Sequence, residues 1–407
     1  MTTLVVLVYL VSTTVVVATL LGFQRLASRV RALPRRDTSS APPVPEDAPR
    51  VLVQLPVFEE PIVVERVLRS VAALDWPRER LTVQLLDDSS EAIAAEKALI
   101  VARVRELGLD VRHVRRDGRE GFKAGALAHG LTLDDAPFVA VFDADFVPHP
   151  AFLRHTVAAL QGWPDAGFVQ VRNAFHASNA LGAVQALAQD AHYLVEQGVR
   201  AASGLPIQSN GTGGLWRRAA IDAVGGWSGD TLAEDLDLAL RLSLAGHGGI
   251  YREEPVSIGE VPEHGSVFHA QQARWAKGIV QVGRKHFGAI WRSGWSLEAK
   301  LMTSHWFVMQ AAPTAIVAML VSGLALGWLG VWWALPALAL IVASGLSTLV
   351  AVTRPAHERY SGDEPYWRLV ARVPLVYLGL AATVGGAVLS AFGRRPGVFA
   401  RTPKRGK

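Results

Sequence analysis

The chain has 407 residues, half of them apolar, no cysteine and a net charge of +5. Its positive mean hydropathy and long uncharged stretches exclude an ordinary soluble protein and point to a membrane protein with a soluble portion. Without cysteine there are no disulfides, thiolate zinc sites or cysteine nucleophile. The arginines bracket hydrophobic segments and form no aromatic-interleaved stripe, so phospholipid head groups and a phosphate-bearing substrate suit the charge better than nucleic acid.

Residues 3–22 are apolar apart from Ser and Thr, with no basic residue before them and Arg25, Arg29, Arg31, Arg35 and Arg36 after. This polarity predicts a transmembrane anchor over residues 1–25, with the N-terminus outside and the next domain in the cytoplasm. A cleaved signal peptide would want a charged start and a shorter apolar core. Residues 26–49 form a linker, stiffened by Pro34, Pro42, Pro43, Pro45 and Pro49.

From residue 50 to 262 short β-rich runs alternate with helical ones. Val51–Leu55, Leu81–Leu86, Val111–Val114, Phe138–Phe142 and Phe168–Val171 read as strands, with helices such as 60–74 and 91–107 between them. Such alternation predicts an α/β domain with a mixed, mostly parallel sheet flanked by helices, and a site in the crevice at the carboxyl ends of the strands. Polar chemistry follows three of those strands: Pro56-Val57-Phe58-Glu59-Glu60, Asp87-Asp88-Ser89-Ser90 and Asp143-Ala144-Asp145.

Asp143 and Asp145 stand at i and i+2 after a buried strand and, if the strand continues, share a face. Two adjacent carboxylates that both stay ionised call for a counter-cation, and a divalent metal is the natural one; solvated turn residues give the same pattern. In Arg119-Glu120-Gly121-Phe122-Lys123-Ala124-Gly125, two glycines flank a lysine at a helix start, an arrangement suited to a diphosphate or simply to a loop with a solvated lysine. Asn210-Gly211-Thr212-Gly213-Gly214 reads as a mobile or tightly turned segment. Beyond it, Thr231 to about Ala245 forms a helix whose first turn carries Glu234 and Asp235. They are either dipole-stabilising residues or candidates for a general base, whereas Asp237 reads as an ordinary helix residue. On a further helix Gln271, Arg274 and Trp275 share one face, suited to a ligand or to a head-group interface.

Asp87-Asp88-Ser89, Gly121-Phe122-Lys123-Ala124-Gly125, Asp143-Ala144-Asp145, Glu234-Asp235 and Gln271-x-x-Arg274-Trp275 occur in this order over roughly residues 50–290. Together they resemble the processive branch of glycosyltransferase family 2, which holds cellulose synthases, cellulose-synthase-like mannan and glucomannan synthases, chitin synthases and hyaluronan synthases. Gln54-Leu55-Pro56-Val57-Phe58 and Gln272-Ala273-Arg274-Trp275-Ala276-Lys277-Gly278 look most like bacterial relatives of the mannan synthases. Phe399-Ala400-Arg401-Thr402-Pro403-Lys404 is similar to the gating loop of cellulose synthases, with Arg401 where valine is usual.

The resemblance implies a nucleotide-sugar transferase domain of the GT-A type embedded between transmembrane helices. It implies that Glu60, Asp87, Asp88, Lys123 and Asp143 meet the nucleotide sugar, and that Asp143 and Asp145 hold Mg²⁺ or Mn²⁺. Asp235, with Glu234 beside it, would be the catalytic base. Gln271, Arg274 and Trp275 would bind the acceptor and the leaving diphosphate, and Phe399, Thr402 and Lys404 would gate the site. Two departures stand out: Glu59 where the family usually has asparagine, adding negative charge near the nucleotide pocket, and Ala233 where threonine is frequent.

After interfacial helices over 263–300, a transmembrane hairpin is expected over 301–352 and a cytoplasmic loop over 353–372. The third apolar segment, 373–392, precedes a basic tail over 393–407; a crossing would put that tail outside, so a re-entrant or partly interfacial path is the expectation. A channel of three or four spans needs a homo-oligomer or an export partner, unless nothing long is exported. The overall expectation is a multi-pass protein of the inner or plasma membrane with a cytoplasmic catalytic domain. It moves a hexose, with inversion, from a UDP- or GDP-sugar to a growing β-glycan; the alternative is a non-processive transferase making a glycolipid or short oligosaccharide. A third reading, an inactive scaffold, sits poorly with the intact set of acidic and cationic groups.

Overall fold

The computed structural model describes residues 2–34, 41–59, 61–360 and 364–393. The chain begins with α1 (Thr2–Ala27) and enters an α/β region: β1 (Val51–Val57), α2 (Pro61–Ala72), β2 (Leu81–Asp87), α3 (Glu91–Arg105), β3 (Asp110–Val114), α4 (Phe122–Leu131), β4 (Phe138–Val141), α5 (Phe152–Gly162) and β5 (Phe168–His176). It leaves through α6 (Ala180–Ala191), a π-helix (His192–Val199) and α7 (Arg200–Ala202), then returns for β6 (Gly214–Arg217), α8 (Arg218–Ala223), α9 (Glu234–Leu244) and β7 (Gly249–Glu260). The rest is helical: α10 (Gly265–Arg292), α11 (Leu297–Val308), α12 (Ala312–Trp328), α13 (Ala334–Tyr360), α14 (Tyr366–Val370), α15 (Val373–Gly379) and α16 (Ala381–Ser390). Two units result, a helical one from Met1–Leu33, Ala177–Leu205 and Pro262–Arg395, and an α/β one from Pro34–His176 and Pro206–Val261.

In the α/β unit the seven strands are ordered β3-β2-β1-β4-β6-β5-β7. β1, β2, β3 and β4 are mutually parallel, as are β5 and β7, while β6 runs antiparallel to both of its neighbours. Helices on both faces explain why β1, β2 and β4 are buried almost throughout and read as continuous apolar runs. Val53, Leu55, Val83, Leu85, Ala140 and Phe142 form the centre of the core with Val64, Leu68 and Phe152. The five strands expected from the sequence are present. β6 and β7 are additional: the expected turn is present over 211–213, where Gly211 and Gly213 have positive φ, and the chain becomes a strand from Gly214.

Among the polar residues buried in this unit, Gln54 and Gln84 fix the helix that carries Lys123. Gln54 on β1 donates to Gln84 on β2 at 3.0 Å and to the Leu127 carbonyl at 3.2 Å, and Gln84 donates to the Gly130 carbonyl at 2.9 Å. Buried amides need such partners, and the carbonyls they find belong to the last turns of α4. A Cβ on Gly130 would stand 2.5 Å from Gln54 Nε2, so only glycine lets the helix come this close. The clamp pins the C-terminal end of α4 and aims its N-terminus at the carboxyl edge of the sheet.

Among the described residues the helical unit holds three helices long and apolar enough to cross a membrane, Thr2–Ala32, Leu297–Trp328 and Ala334–Tyr360. A further pair, Tyr366–Gly379 and Ala381–Ser390, is bent by 47° and counts as a fourth only if the two form one span. α1, α12 and α13 pack through Tyr9, Val16, Met319, Leu326 and Leu338. At the turn between α12 and α13, Trp328, Trp332 and Trp333 are exposed, as indoles at a membrane–water boundary are.

This unit also buries a charge cluster. Arg200 Nε donates to Glu196 Oε2 at 2.8 Å, Trp306 Nε1 donates to the same oxygen at 2.9 Å, and the Arg200 guanidinium lies 4.5 Å from the Trp306 ring centroid. His305 meets the Thr19 carbonyl of α1 at 3.1 Å, and a Cβ on Gly22 would collide with its ring. The cluster thereby ties the π-helix to α11, and α11 to α1. Breaking a buried pair strands a charge, whereas removing both charges does not. Glu196→Ala should therefore cost about 3–5 kcal/mol, read as a lower unfolding midpoint in detergent, while Glu196→Leu with Arg200→Met should stay near the wild type. Equal losses from the two variants would mean that packing alone holds these helices.

Candidate active site

Four parallel strands end on one edge of the sheet, and β6, being antiparallel, begins there, with Gly214 opposite Val141. The loops on this edge carry the residues singled out by the sequence. Lys123, in the first turn of α4, donates to Asp143 Oδ1 at 2.7 Å and to the Gly211 carbonyl at 2.8 Å, and its ammonium stands 3.5 Å from Glu234 Oε1. Burial disfavours its charge, but Asp143, Glu234 and Asp235 outweigh this and hold the lysine's pKa above its ordinary value. Asp235 lies next to this cluster: a Cβ on Gly211 would be 3.1 Å from Asp235 Oδ2 and 3.2 Å from Lys123 Nζ. Burial, then the repulsion of Glu234, pushes Asp235 up to about 7, with Lys123 pulling the other way. A carboxyl poised there suits proton transfer near neutral pH.

The Asp143–Asp145 pair differs from the strand geometry expected for it. β4 stops at Val141, and the two aspartates lie in a turn closed by Phe146 N–H donating to the Asp143 carbonyl at 3.0 Å. They do not share a strand face, and their environments diverge: the Asp143 side chain is 37% exposed, whereas Asp145 is buried. Thr212 Oγ1 accepts the Asp143 N–H at 3.1 Å, tying this turn to the loop before β6. Among the described residues no three His, Asp or Glu side chains gather as a ready metal cage. Two carboxylates remain a suitable all-oxygen donor set for Mg²⁺ or Mn²⁺, which take one or two carboxylates and draw further ligands from substrate phosphates and water.

Toward β2 the aspartates have separate tasks. Asp87 is buried, paired with Lys97 at 2.9 Å and His113 Nε2 at 2.9 Å. Burial opposes its charge, but His113, Ser89 and Lys97 prevail and hold it below the usual carboxylate range. Asp88 accepts from Arg116 through both oxygens, at 2.8 and 2.7 Å, and Arg116 also donates to the Glu120 and Phe122 carbonyls. Arg116 thus staples the end of β2 to the loop that enters α4. Glu59 adopts φ 52° and accepts from the Ser90 N–H at 2.7 Å, so the extra negative charge expected near the nucleotide is spent on the β2–α3 turn. Its carboxyl is held below its ordinary value chiefly by that bond. Glu60, Phe399, Thr402 and Lys404 lie outside the described residues.

Asp237 pairs with Arg241 at 2.8 Å inside α9, as an ordinary helix residue does. Gln271, Arg274 and Trp275 sit on α10 in the helical unit; Gln271 is buried, and the other two are half-buried. Sequence reasoning missed Arg116, Arg119, Gly211 and Thr212 as parts of the site. A glycine-rich run just before a strand that faces Asp143 was the available signal for the last two.

The profile described as glycosyl transferase family group 2 matches residues 138–347, just over half of the chain, and that of glycosyl transferase family 2 matches residues 53–220. The chain belongs to glycosyl transferase family group 2. Among its relatives, glucomannan 4-beta-mannosyltransferase 1 of Oryza sativa subsp. japonica is 37% identical over 257 residues, 60% of this chain and 49% of that protein. Glucomannan 4-beta-mannosyltransferase 2 of Arabidopsis thaliana is 37% identical over 243 residues, 58% of this chain and 46% of its own length. The chain thus spans about half the length of these relatives. They agree with the cellulose-synthase-like character of the motifs. The mannosyltransferase PcManGT from Pyrobaculum calidifontis, solved with GDP-Man and Mn²⁺, superposes with a TM-score of 0.66 at 21% identity, covering 95% of this chain and 98% of that one, which establishes a shared fold.

At this site Gly211 is a residue without a functional group whose replacement bears directly on Lys123 and Asp235. Its φ of 73° disfavours any side chain, and the space of a Cβ is taken by Asp235 and Lys123. Gly211→Ala should lower the rate of sugar transfer at least about tenfold by pushing these two groups apart, and the positive φ should lower the unfolding midpoint by the equivalent of about 1 kcal/mol. An unchanged rate would show that their spacing does not matter.

Proposed function

We propose that this chain is an inverting β-mannosyltransferase that uses GDP-mannose to extend a β-linked glycan. The observation that carries this reading is the convergence of Lys123, Asp143 and Asp235 around Gly211 at the carboxyl edge of a parallel sheet. The glucomannan mannosyltransferase relatives support the choice of sugar and product, and the fold shared with a GDP-Man-bound enzyme is compatible with the donor.

In the mechanism we infer, the diphosphate lies over the start of α4, where Lys123 and the helix dipole face it. Asp143 and Asp145 would hold Mg²⁺ or Mn²⁺ there; when bound, the ion neutralises charge on the departing diphosphate. Asp235 accepts the proton of the acceptor hydroxyl as its oxygen bonds to the anomeric carbon and the bond from that carbon to the phosphate oxygen breaks. One in-line displacement converts an α-linked donor into a β-glycoside. Glu234, 3.5 Å from the Lys123 ammonium, repels the charged form of Asp235 and so supports its basicity. For α10 we propose that the face with Gln271, Arg274 and Trp275 takes the acceptor sugar, with the indole as a stacking plane. The membrane setting we infer is a multi-pass protein with its α/β unit in the cytoplasm.

Asp235→Asn should keep nucleotide binding and reduce transfer from GDP-mannose by at least about a hundredfold, within the range of a lost general base. In the wild type only the ionised Asp235 accepts a proton, so kcat/KM should climb with pH and level off above about 7. Normal turnover by Asp235→Asn, or a flat profile across that range, would remove Asp235 from the role of base.

A further inference from the structure

The direction in which a donor must lie can be read from the edge of the sheet. Lys123, Asp143, Asp235 and Gly211 converge where the end of β4 meets the start of β6, so the diphosphate and the reacting carbon lie together there. Since strand order continues from β4 to β1 and β2, the nucleoside has to extend over the ends of β1 and β2. This deduction rests on the function proposed above.

Three arginines stand on that side; Arg115 donates to the Ser89 carbonyl and to Glu91, and of the other two only one has spent its hydrogen bonds. Arg116 is consumed by Asp88 and by the carbonyls of Glu120 and Phe122. Arg119 is not: its guanidinium carbon lies 3.4 Å from the centroid of Phe58, at the end of β1, and 5.6 Å from that of Phe122. Its Nε–H is buried without a hydrogen-bond partner among the described residues. A buried donor left unsatisfied costs free energy, and a guanidinium fixed on an aromatic face is already oriented for a ligand.

We propose that Arg119 reads the nucleobase of the donor and that its two-donor edge selects guanine. Guanine presents O6 and N7 side by side, two acceptors that match the fork of an arginine. Adenine places an amino donor in the position of O6. Uracil offers a carbonyl next to an N–H, which leaves one arm of the fork facing a donor. Asp88, which the sequence assigned to the nucleoside, becomes in this account a positioning residue that acts through Arg116 by holding the loop on which Arg119 is mounted.

The test is direct binding of GDP, IDP, ADP, UDP and inorganic pyrophosphate to the full chain in detergent, by calorimetry, for wild type, Arg119→Gln, Arg119→Lys and Lys123→Ala. The wild type should bind GDP and IDP alike, since both keep O6 and N7, and more tightly than ADP or UDP. Both Arg119 variants should lose about tenfold or more in affinity for GDP and IDP while binding pyrophosphate as before, which also shows that they are folded. Lys123→Ala should weaken GDP and pyrophosphate together. A parallel loss of pyrophosphate in Arg119→Gln would make the contact a phosphate contact and overturn the proposal, as would undiminished GDP binding. Wild-type preference for UDP would overturn the choice of guanine, and a wild type that binds no nucleoside diphosphate would instead overturn the function on which the inference rests.

Discussion

The site depends on one partly buried ammonium, that of Lys123. Asp143, Glu234 and Asp235 come from two separate segments, and carboxylates brought this close repel one another unless a positive charge stands among them. Lys123 supplies that charge, and its bond to the Gly211 carbonyl draws in the loop before β6 as well. The ordering of charges also sets the chemistry. Asp143 and Glu234 lie against the ammonium, while Asp235 stands behind them and is left with a raised pKa. The same lysine that gathers the acidic groups thereby leaves one of them basic enough to take a proton.

Everything that positions Lys123 is a consequence of the sheet beneath it. The glutamine pair on β1 and β2 fixes the last turns of α4, Gly130 allows the close approach, and the first turn is left projecting over the crevice. Arg116 then closes the loop ahead of the helix onto the end of β2. A second close approach binds this loop to the segment leading into α9: a Cβ on Gly229 would fall 2.5 Å from the Gly121 α-carbon. The loop that enters α4 and the segment that leads to Asp235 are therefore in backbone contact, with no side chain between them to yield.

Much of this was legible in the sequence, for physical reasons that can be named. Strands buried on both faces give unbroken apolar runs, so β1, β2 and β4 stood out, and motifs at their carboxyl ends marked the crevice. β6 was hidden because its start is rich in glycine, which reads as a turn. β7 was hidden by Arg252, Glu253, Glu254 and Pro255, which an edge strand tolerates and a central one does not. The shared strand face expected for Asp143 and Asp145 did not hold: the strand ends at Val141, one residue early, and the two carboxylates are set by a turn. Partnerships such as Arg116 with Asp88, or Glu59 with Ser90, join residues 28 and 31 positions apart, and no local pattern announces them.

The measurement that bears most directly on the account is the identity of the product. Membranes containing the protein would be given radiolabelled GDP-mannose, with GDP-glucose and UDP-sugars in parallel, and the product's anomeric configuration assigned by NMR and by digestion with β-mannanase. The account predicts a β-linked mannan or mannose-containing glycan formed from GDP-mannose. An α-linked product, or transfer only from a UDP-sugar, would contradict it.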